Sequence, residues 1–161
     1  SIDCWRRAVT RVRKELSAVD GQNAAFYQKR AAEVRRELAS LQRWATAELA
    51  KVPPKSRILA TAHAAFGYFC NEHGWKMLAV QGLNRERVDS PKFLAEVVSA
   101  IRKENVRALF PEQRSNPKIL RTVAEGAGVV VGEPLIADGG SSIEEMFRHN
   151  VSVIVGALGV K

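Results

Sequence analysis

Three polar residues that could bind a metal ion or transfer a proton lie in separate segments of the chain. His63 follows the apolar run ILATA, Glu112 comes two residues after the run ALF, and Asp138 precedes two glycines. Imidazole and carboxylate groups are ligands of Zn²⁺ and Mn²⁺, and a histidine beside a glutamate can act as an acid–base pair. Each residue also has an ordinary explanation: His63 as a loop or helix-capping residue, Glu112 as a surface acid, and Asp138 as a turn former.

The elements that must position these residues alternate between strand and helix from residue 57 onward. Hydrophobic periodicity predicts strands over 57–62, 76–80, 107–110 and 128–132, and helices over 64–72, 91–104, 117–125 and 142–158. This alternation predicts an α/β fold, with a parallel sheet of about four strands and helices on both faces. Ligands of such sheets bind outside the carboxyl ends of the strands. We therefore expect the three polar residues to lie along one edge of the sheet.

Capping signals support these helix boundaries. Ser90 and Asn116 each precede a proline, as an N-cap residue does when proline takes the first helical position. The segment Ser141-Ser-Ile-Glu144 matches a capping box. Gly74 and Gly126 are predicted to lie just past helix ends.

Two helices precede the α/β part. Apolar residues recur at helical spacing from Ile2 to Val19, and Asp20-Gly21 ends this first helix. Asn23 is a plausible N-cap for a second, unusually long helix that reaches about Val52, where Pro53-Pro54 ends it. The chain is thus expected to consist of a helical linker over 1–54 and an α/β lobe over 55–161.

Charge and composition argue against several classes of protein. The net charge is +8, and residues 1–55 hold most of the excess, with 12 Lys and Arg against 6 Asp and Glu. These basic residues alternate with acids, as on solvated helix faces, and no aromatic residues interleave to form a nucleic-acid groove. No apolar run approaches the roughly 18 residues of a membrane span. The two cysteines are too few for a disulfide framework and are predicted to be free, buried thiols.

The remaining motifs do not indicate a site. The run EGAGVVVG places its glycines after a helix and before a strand, the reverse of a dinucleotide-binding loop. His73, at a helix C-terminus where a charged imidazole would favour the helix dipole, and His149, on the last helix, are predicted to be structural or exposed. One enzymatic alternative stays open, a flavodoxin-like lobe that uses His63 and Glu112 as an acid–base pair.

Several segments, in order and spacing, resemble motifs of the periplasmic zinc- and manganese-binding proteins that serve ABC-type metal importers. TAHAAFGYF, followed by NEHGWK and QGLN, is similar to the family pattern "(S/T)-H-(D/A)-A-(F/Y)-x-Y-F". ALFPEQRSNPKIL resembles its strand-and-loop "(I/V)-F-x-E-x-x-x-x-P". PLIAD, followed by a helix with Met146 and Asn150, resembles its C-terminal end. The long helix resembles the rigid helix that joins the two lobes of these proteins.

The resemblance implies a role for each of the three polar residues. His63 matches the imidazole that the C-terminal lobe gives to the metal, and Asp138 matches the carboxylate that completes the site. Glu112 matches an acid expected behind the ligands, where it could fix the other nitrogen of the imidazole. Ala64 departs from the pattern, because many members of the family have Asp at this position.

The resemblance also implies what the chain works with. It would be the C-terminal lobe and linking helix of a solute-binding protein that catalyses nothing and binds Zn²⁺ or Mn²⁺. The family's N-terminal lobe supplies further ligands, so the site in this chain would be incomplete. The implied partners are that missing lobe and a membrane permease, and the implied location is periplasmic or extracytoplasmic.

Overall fold

The computed structural model describes residues 1–82 and 90–159, and the chain separates into two compact units, Ser1–Ala47 and Glu48–Lys161. Of the predicted motifs, the last two residues of QGLN lie outside the described residues. None of the helices in the described part combines the length and apolar character that a membrane crossing requires.

Two helices, α1 (Ile2–Val19) and α2 (Ala24–Leu49), make up most of the first unit. As predicted, α1 ends at Asp20, whose carboxylate accepts hydrogen bonds from the Tyr27 hydroxyl at 2.6 Å and the Asn23 amide at 2.8 Å. These bonds lower the pKa of the Asp20 carboxyl. Asn23 belongs to a 3-10 turn, so it is not an N-cap, and α2 begins one residue later. With 26 residues, α2 is about 39 Å long.

The second unit contains a four-stranded parallel sheet, which confirms the predicted fold class. Its strands are β1 (Ile58–Thr61), β2 (Lys76–Ala79), β3 (Ala108–Phe110) and β4 (Val130–Val131), in the order β2-β1-β3-β4. The helices are α3 (Gly67–His73), α4 (Pro91–Lys103), α5 (Lys118–Ala127) and α6 (Ile143–Leu158). The chain leaves β1 toward β2 and returns on the other side as β3. The carboxyl ends of β1 and β3 therefore flank a topological switch point, the usual place for a ligand.

Helices cover both faces of the sheet. On one face, buried residues of the strands pack with α4 and α5 in a single core, which includes Ala60, Leu78, Leu109, Phe93, Val97, Ile101, Leu120 and Val123. The alternate strand residues Leu59, Thr61 and Phe110 are also fully buried. A Cβ on Gly67 of α3 would lie 3.9 Å from the sulfur of Met77, which places α3 on this second face. The central strands β1 and β3 are therefore buried on two sides, as the apolar runs predicted, whereas both residues of the edge strand β4 are exposed.

Three helices begin later than predicted, for local reasons. The predicted helix 64–72 begins at Gly67, after an irregular stretch over residues 62–66 in which the backbone N–H of His63 donates to the Glu112 carboxylate. Helix α5 begins at Lys118, whose N–H donates to the Asn116 side chain at 3.0 Å. Ser142, not Ser141, caps α6 by accepting from the backbone N–H of Glu145.

Both cysteines are free thiols, as predicted, but only one is buried. Cys70 lies in the core, where burial raises the pKa of its thiol to about 12. Cys4 is exposed on the first turn of α1, so the prediction of a buried thiol is wrong at this position.

Candidate metal centre

Strands β1 and β3 bring His63 and Glu112 together. Thr61, the last residue of β1, and Phe110, the last residue of β3, are direct partners in the parallel register. His63 lies two residues after Thr61, and Glu112 lies two residues after Phe110. The Thr61 hydroxyl donates to the carbonyl of His63 at 2.6 Å and fixes the chain as it leaves β1. The two side chains therefore meet at the switch point of the sheet.

The Glu112 carboxylate holds His63 at two points. One oxygen accepts the backbone N–H of His63 at 2.9 Å, and the other lies 3.1 Å from Nδ1 of the ring. The Glu112 side chain is 5% exposed, whereas that of His63 is 53% exposed. A buried carboxylate needs such hydrogen bonds to compensate its desolvation. Because an ionised carboxylate only accepts, it favours the tautomer with hydrogen on Nδ1 and leaves the lone pair of Nε2 free.

The loop that carries Asp138 is attached to the same edge of the sheet. Leu135 bridges to Glu112 in parallel register; its N–H donates to the carbonyl of Pro111, and its carbonyl accepts from Gln113, both at 2.8 Å. Asp138 follows three residues later and is exposed, in front of Gly139, whose φ is +85°.

Asn150 of α6 fixes this loop from the other side. Its buried amide accepts the N–H of Ile136 at 2.8 Å and donates to the carbonyl of the same residue at 2.9 Å. Nearby, Nε2 of His149 lies 2.8 Å from the carbonyl of Pro134. Sequence reasoning assigned no physical role to Asn150. The available signal was its position among apolar residues on the buried face of α6, since a buried amide there needs partners.

The structure brings only two of the three predicted site residues into contact. Asp138 makes no side-chain hydrogen bond or ion pair with any residue in the described ranges. In the same ranges, no three His, Cys, Asp or Glu side chains are close enough to hold a metal ion together. His63 and Glu112 thus contact each other directly, and Asp138 lies on the adjoining loop with a carboxylate that has no partner in the described residues.

The other two histidines have structural surroundings. The ring of His73 lies 4.9 Å from that of Phe69, and its buried Nε2 has no hydrogen-bond partner in the described part of the chain. Burial lowers the pKa of His73 and favours the neutral imidazole, and the packing of its ring against Phe69 makes this histidine structural, as predicted. His149 is tied to the backbone of the Asp138 loop and is structural, as predicted.

The chain matches, over residues 1–157, the family described as "ZnuA: Zinc-uptake complex component A periplasmic". Manganese-binding lipoprotein MntA of Bacillus subtilis (strain 168) is 34% identical over 170 residues, covering 98% of this chain and 56% of that protein. Manganese ABC transporter substrate-binding lipoprotein PsaA of Streptococcus pneumoniae is 25% identical over 154 residues, covering 91% and 50%. The structure of periplasmic zinc binding protein TroA from Treponema pallidum superposes with a TM-score of 0.84 at 23% identity, covering 99% of this chain and 62% of that one.

The fold and the His63–Glu112 pair define an α/β lobe with a candidate binding site at the switch point of a parallel sheet. The chain belongs to the ZnuA family of zinc-uptake components, which confirms the family resemblance. It spans about half the length of the curated relatives it matches. Those relatives are named as binding components, so the comparisons give no support to the alternative of an enzyme lobe.

Proposed function

We propose that this chain is the C-terminal, metal-binding part of a solute-binding protein that captures Zn²⁺ or Mn²⁺ outside the cytoplasm for an ABC-type importer. His63 binds the ion through Nε2, and Asp138 supplies a carboxylate oxygen. Glu112 stays behind the imidazole and sets its tautomer. The two contacts of His63 with the Glu112 carboxylate, through its backbone N–H and through Nδ1, are the main support for this proposal. They orient the ring and leave Nε2, which faces away from the carboxylate, free to bind the ion.

The position of Asp138 supports its role as the second ligand. Its loop is hydrogen-bonded to the chain beside Glu112 and to Asn150 of α6, so the backbone near it is fixed. The carboxylate is exposed and has no partner in the described residues. An imidazole and one carboxylate fill only part of the coordination of Zn²⁺ or Mn²⁺. The remaining ligands are proposed to come from the other half of the full-length protein.

Metal titration of the full-length protein tests this function. Purified without chelators, it should hold a transition metal in stoichiometric amount. Replacement of His63 by Ala should weaken Zn²⁺ and Mn²⁺ binding by at least about tenfold. His73→Ala is the matched control, because that imidazole packs against Phe69 ahead of the amino end of β2, at the opposite end of the sheet from His63, and its loss should leave affinity unchanged. A protein without metal, or an unchanged affinity in His63→Ala, contradicts the proposal.

The partner lobe is proposed to cover an apolar groove between α1 and α2. The groove has a volume of about 390 Å³, and its lining includes Trp5, Val9, Val12, Leu16, Phe26 and Val34. Trp5 is 44% and Phe26 63% exposed in this chain. Exposed apolar patches of this kind are typical of interaction surfaces. The curated relatives are about twice as long, and their additional half is the occupant that we propose.

A pair of identical substitutions tests the covered groove. Val12→Glu lies in the groove and should destabilise the full-length protein by about 1–3 kcal/mol, because it would bury a charge against the partner lobe. Val19→Glu is the control, since Val19 is 90% exposed and outside the groove lining, and it should change stability by less than about 0.5 kcal/mol. Equal effects of the two changes in thermal unfolding would show that the groove faces solvent.

Delivery to a membrane permease completes the proposed function. The name of the family specifies a periplasmic component, and PsaA is named as a substrate-binding component of an ABC transporter. By analogy, the chain receives the ion outside the membrane and passes it to such a permease. Metal uptake by cells that lack the gene, with and without the His63→Ala protein, measures this step: the variant should restore uptake poorly at limiting metal concentrations.

A further inference from the structure

Arg114 occupies an unfavourable backbone position directly beside the proposed site. The N–H of Ser115 donates to the carbonyl of Glu112 at 3.2 Å and closes a four-residue turn, which the Ser115 hydroxyl reinforces at 2.7 Å. Arg114 is the third residue of this turn and has φ 69°. That region is uncommon for side-chain-bearing residues other than Asn and Asp, and glycine is usual there in tight turns. The chain thus holds an arginine where the backbone would favour glycine.

The guanidinium of Arg114 lies against the loop that carries Asp138. A Cβ built on Gly139 would be 3.8 Å from both terminal nitrogens of Arg114. The guanidinium makes no hydrogen bond or ion pair with any residue of ranges 1–82 and 90–159. The positive charge is therefore not neutralised by a carboxylate of these ranges, and it sits next to the residue that follows the proposed metal ligand.

We infer that the positive charge of Arg114 repels the bound metal ion, and so weakens its binding and speeds its release. This inference rests on the proposed function, with His63 and Asp138 as ligands. A divalent cation beside Asp138 is repelled by the guanidinium with twice the energy of a monovalent one. Arg114 is exposed, so solvent screens the repulsion and keeps it modest. A solute-binding protein must release its cargo, and a modest, fixed repulsion serves that step.

Three variants of the full-length protein test the inference by titration with Mn²⁺ and with Zn²⁺ and by release of the bound ion into excess chelator. Arg114→Gln should bind the metal ion about three- to tenfold more tightly and release it more slowly, because solvent keeps the repulsion from an exposed charge small. Arg114→Lys keeps the charge and should behave like the unmodified protein. Lys92→Gln removes an exposed positive charge on α4 and controls for net charge.

The dependence on salt separates charge from structure. At 1 M salt, where the Debye length is about 3 Å, the difference between Arg114→Gln and the unmodified protein should shrink to less than about twofold. Weaker binding in Arg114→Gln, or a gain that persists at high salt, would mean that Arg114 shapes the loop and would overturn the inference. If the unmodified protein binds neither Mn²⁺ nor Zn²⁺, the proposed function fails and the inference falls with it. Binding that is sensitive to His63→Ala but equal in Arg114→Gln overturns the inference alone.

Discussion

Replacement of Glu112 by Gln should weaken metal binding, although the variant keeps the fold and both of the proposed ligands. Glu112 accepts the fixed N–H of His63 at 2.9 Å and faces Nδ1 at 3.1 Å. In Glu112→Gln the amide oxygen must take the backbone N–H, so the amide NH₂ faces Nδ1. An NH₂ group donates, so Nδ1 must accept and the ring hydrogen moves to Nε2. The nitrogen that we propose as the ligand then has no free lone pair.

The expected loss is tenfold to a hundredfold in Zn²⁺ or Mn²⁺ affinity. A hydrogen bond to a charged group contributes about 1.5–3 kcal/mol, and each 1.4 kcal/mol is a factor of ten in affinity. Loss of a residue that orients a metal-bound histidine has the same typical cost. Stability should change by less than about 1 kcal/mol, because the shape is kept and a nearly buried charge is removed.

Competition against a chelator measures the affinity, and nitrogen chemical shifts of the His63 ring report its tautomer. Glu133→Gln makes the same change at an exposed acid of the neighbouring loop and should leave both measurements unaltered. The reasoning is refuted if Glu112→Gln binds metal as tightly as the unmodified protein while His63→Ala binds weakly. It is also refuted if the ring keeps its hydrogen on Nδ1 in the Gln variant.

Two further predictions concern the fold. A Cβ at position 132 would lie 2.6 Å from two ring carbons of the buried Phe110. Gly132→Ala should therefore lower the free energy of unfolding, measured by denaturant titration, by about 1–3 kcal/mol. Gly21→Ala is the control and should have little effect, because no atom lies within 4 Å of the added Cβ. Burial raises the pKa of Cys70 to about 12, whereas Cys4 is exposed. In the native protein at pH 8, only Cys4 should therefore react with a thiol reagent, and Cys70 should react after unfolding. Rapid reaction of both thiols in the native protein would contradict this placement.

The order of elements in the α/β part could be predicted because its signals are local. Strands and helices follow from hydrophobic periodicity, and the rule that ligands bind at the carboxyl ends of parallel strands predicts that His63, Glu112 and Asp138 lie along one edge. The irregular stretch before α3 was missed, and in it the backbone N–H of His63 bonds to Glu112, a residue 49 positions away. Periodicity holds no information about such a distant partner.

The detailed chemistry of the site needed the structure. The tautomer of His63 depends on a 3.1 Å contact, and the fixed position of the Asp138 loop depends on Asn150 of α6. Arg114 was unremarkable in the sequence, because only its positive φ and its place against Gly139 distinguish it from other exposed arginines. These features arise from the pairing of segments that are remote in the sequence.

The contrast between Glu112 and Asp138 has a consequence for how such a site can change. Glu112 is buried and bonded, so most substitutions there would disturb the packing of the sheet edge. Asp138 is exposed and unbonded within the described residues, and the backbone near it is held by Leu135 and Ile136 instead. A substitution at position 138 should therefore change the free energy of unfolding very little. With Asp138 as the ligand that we propose, we expect changes in metal preference to arise by mutation at position 138 rather than at the buried position 112.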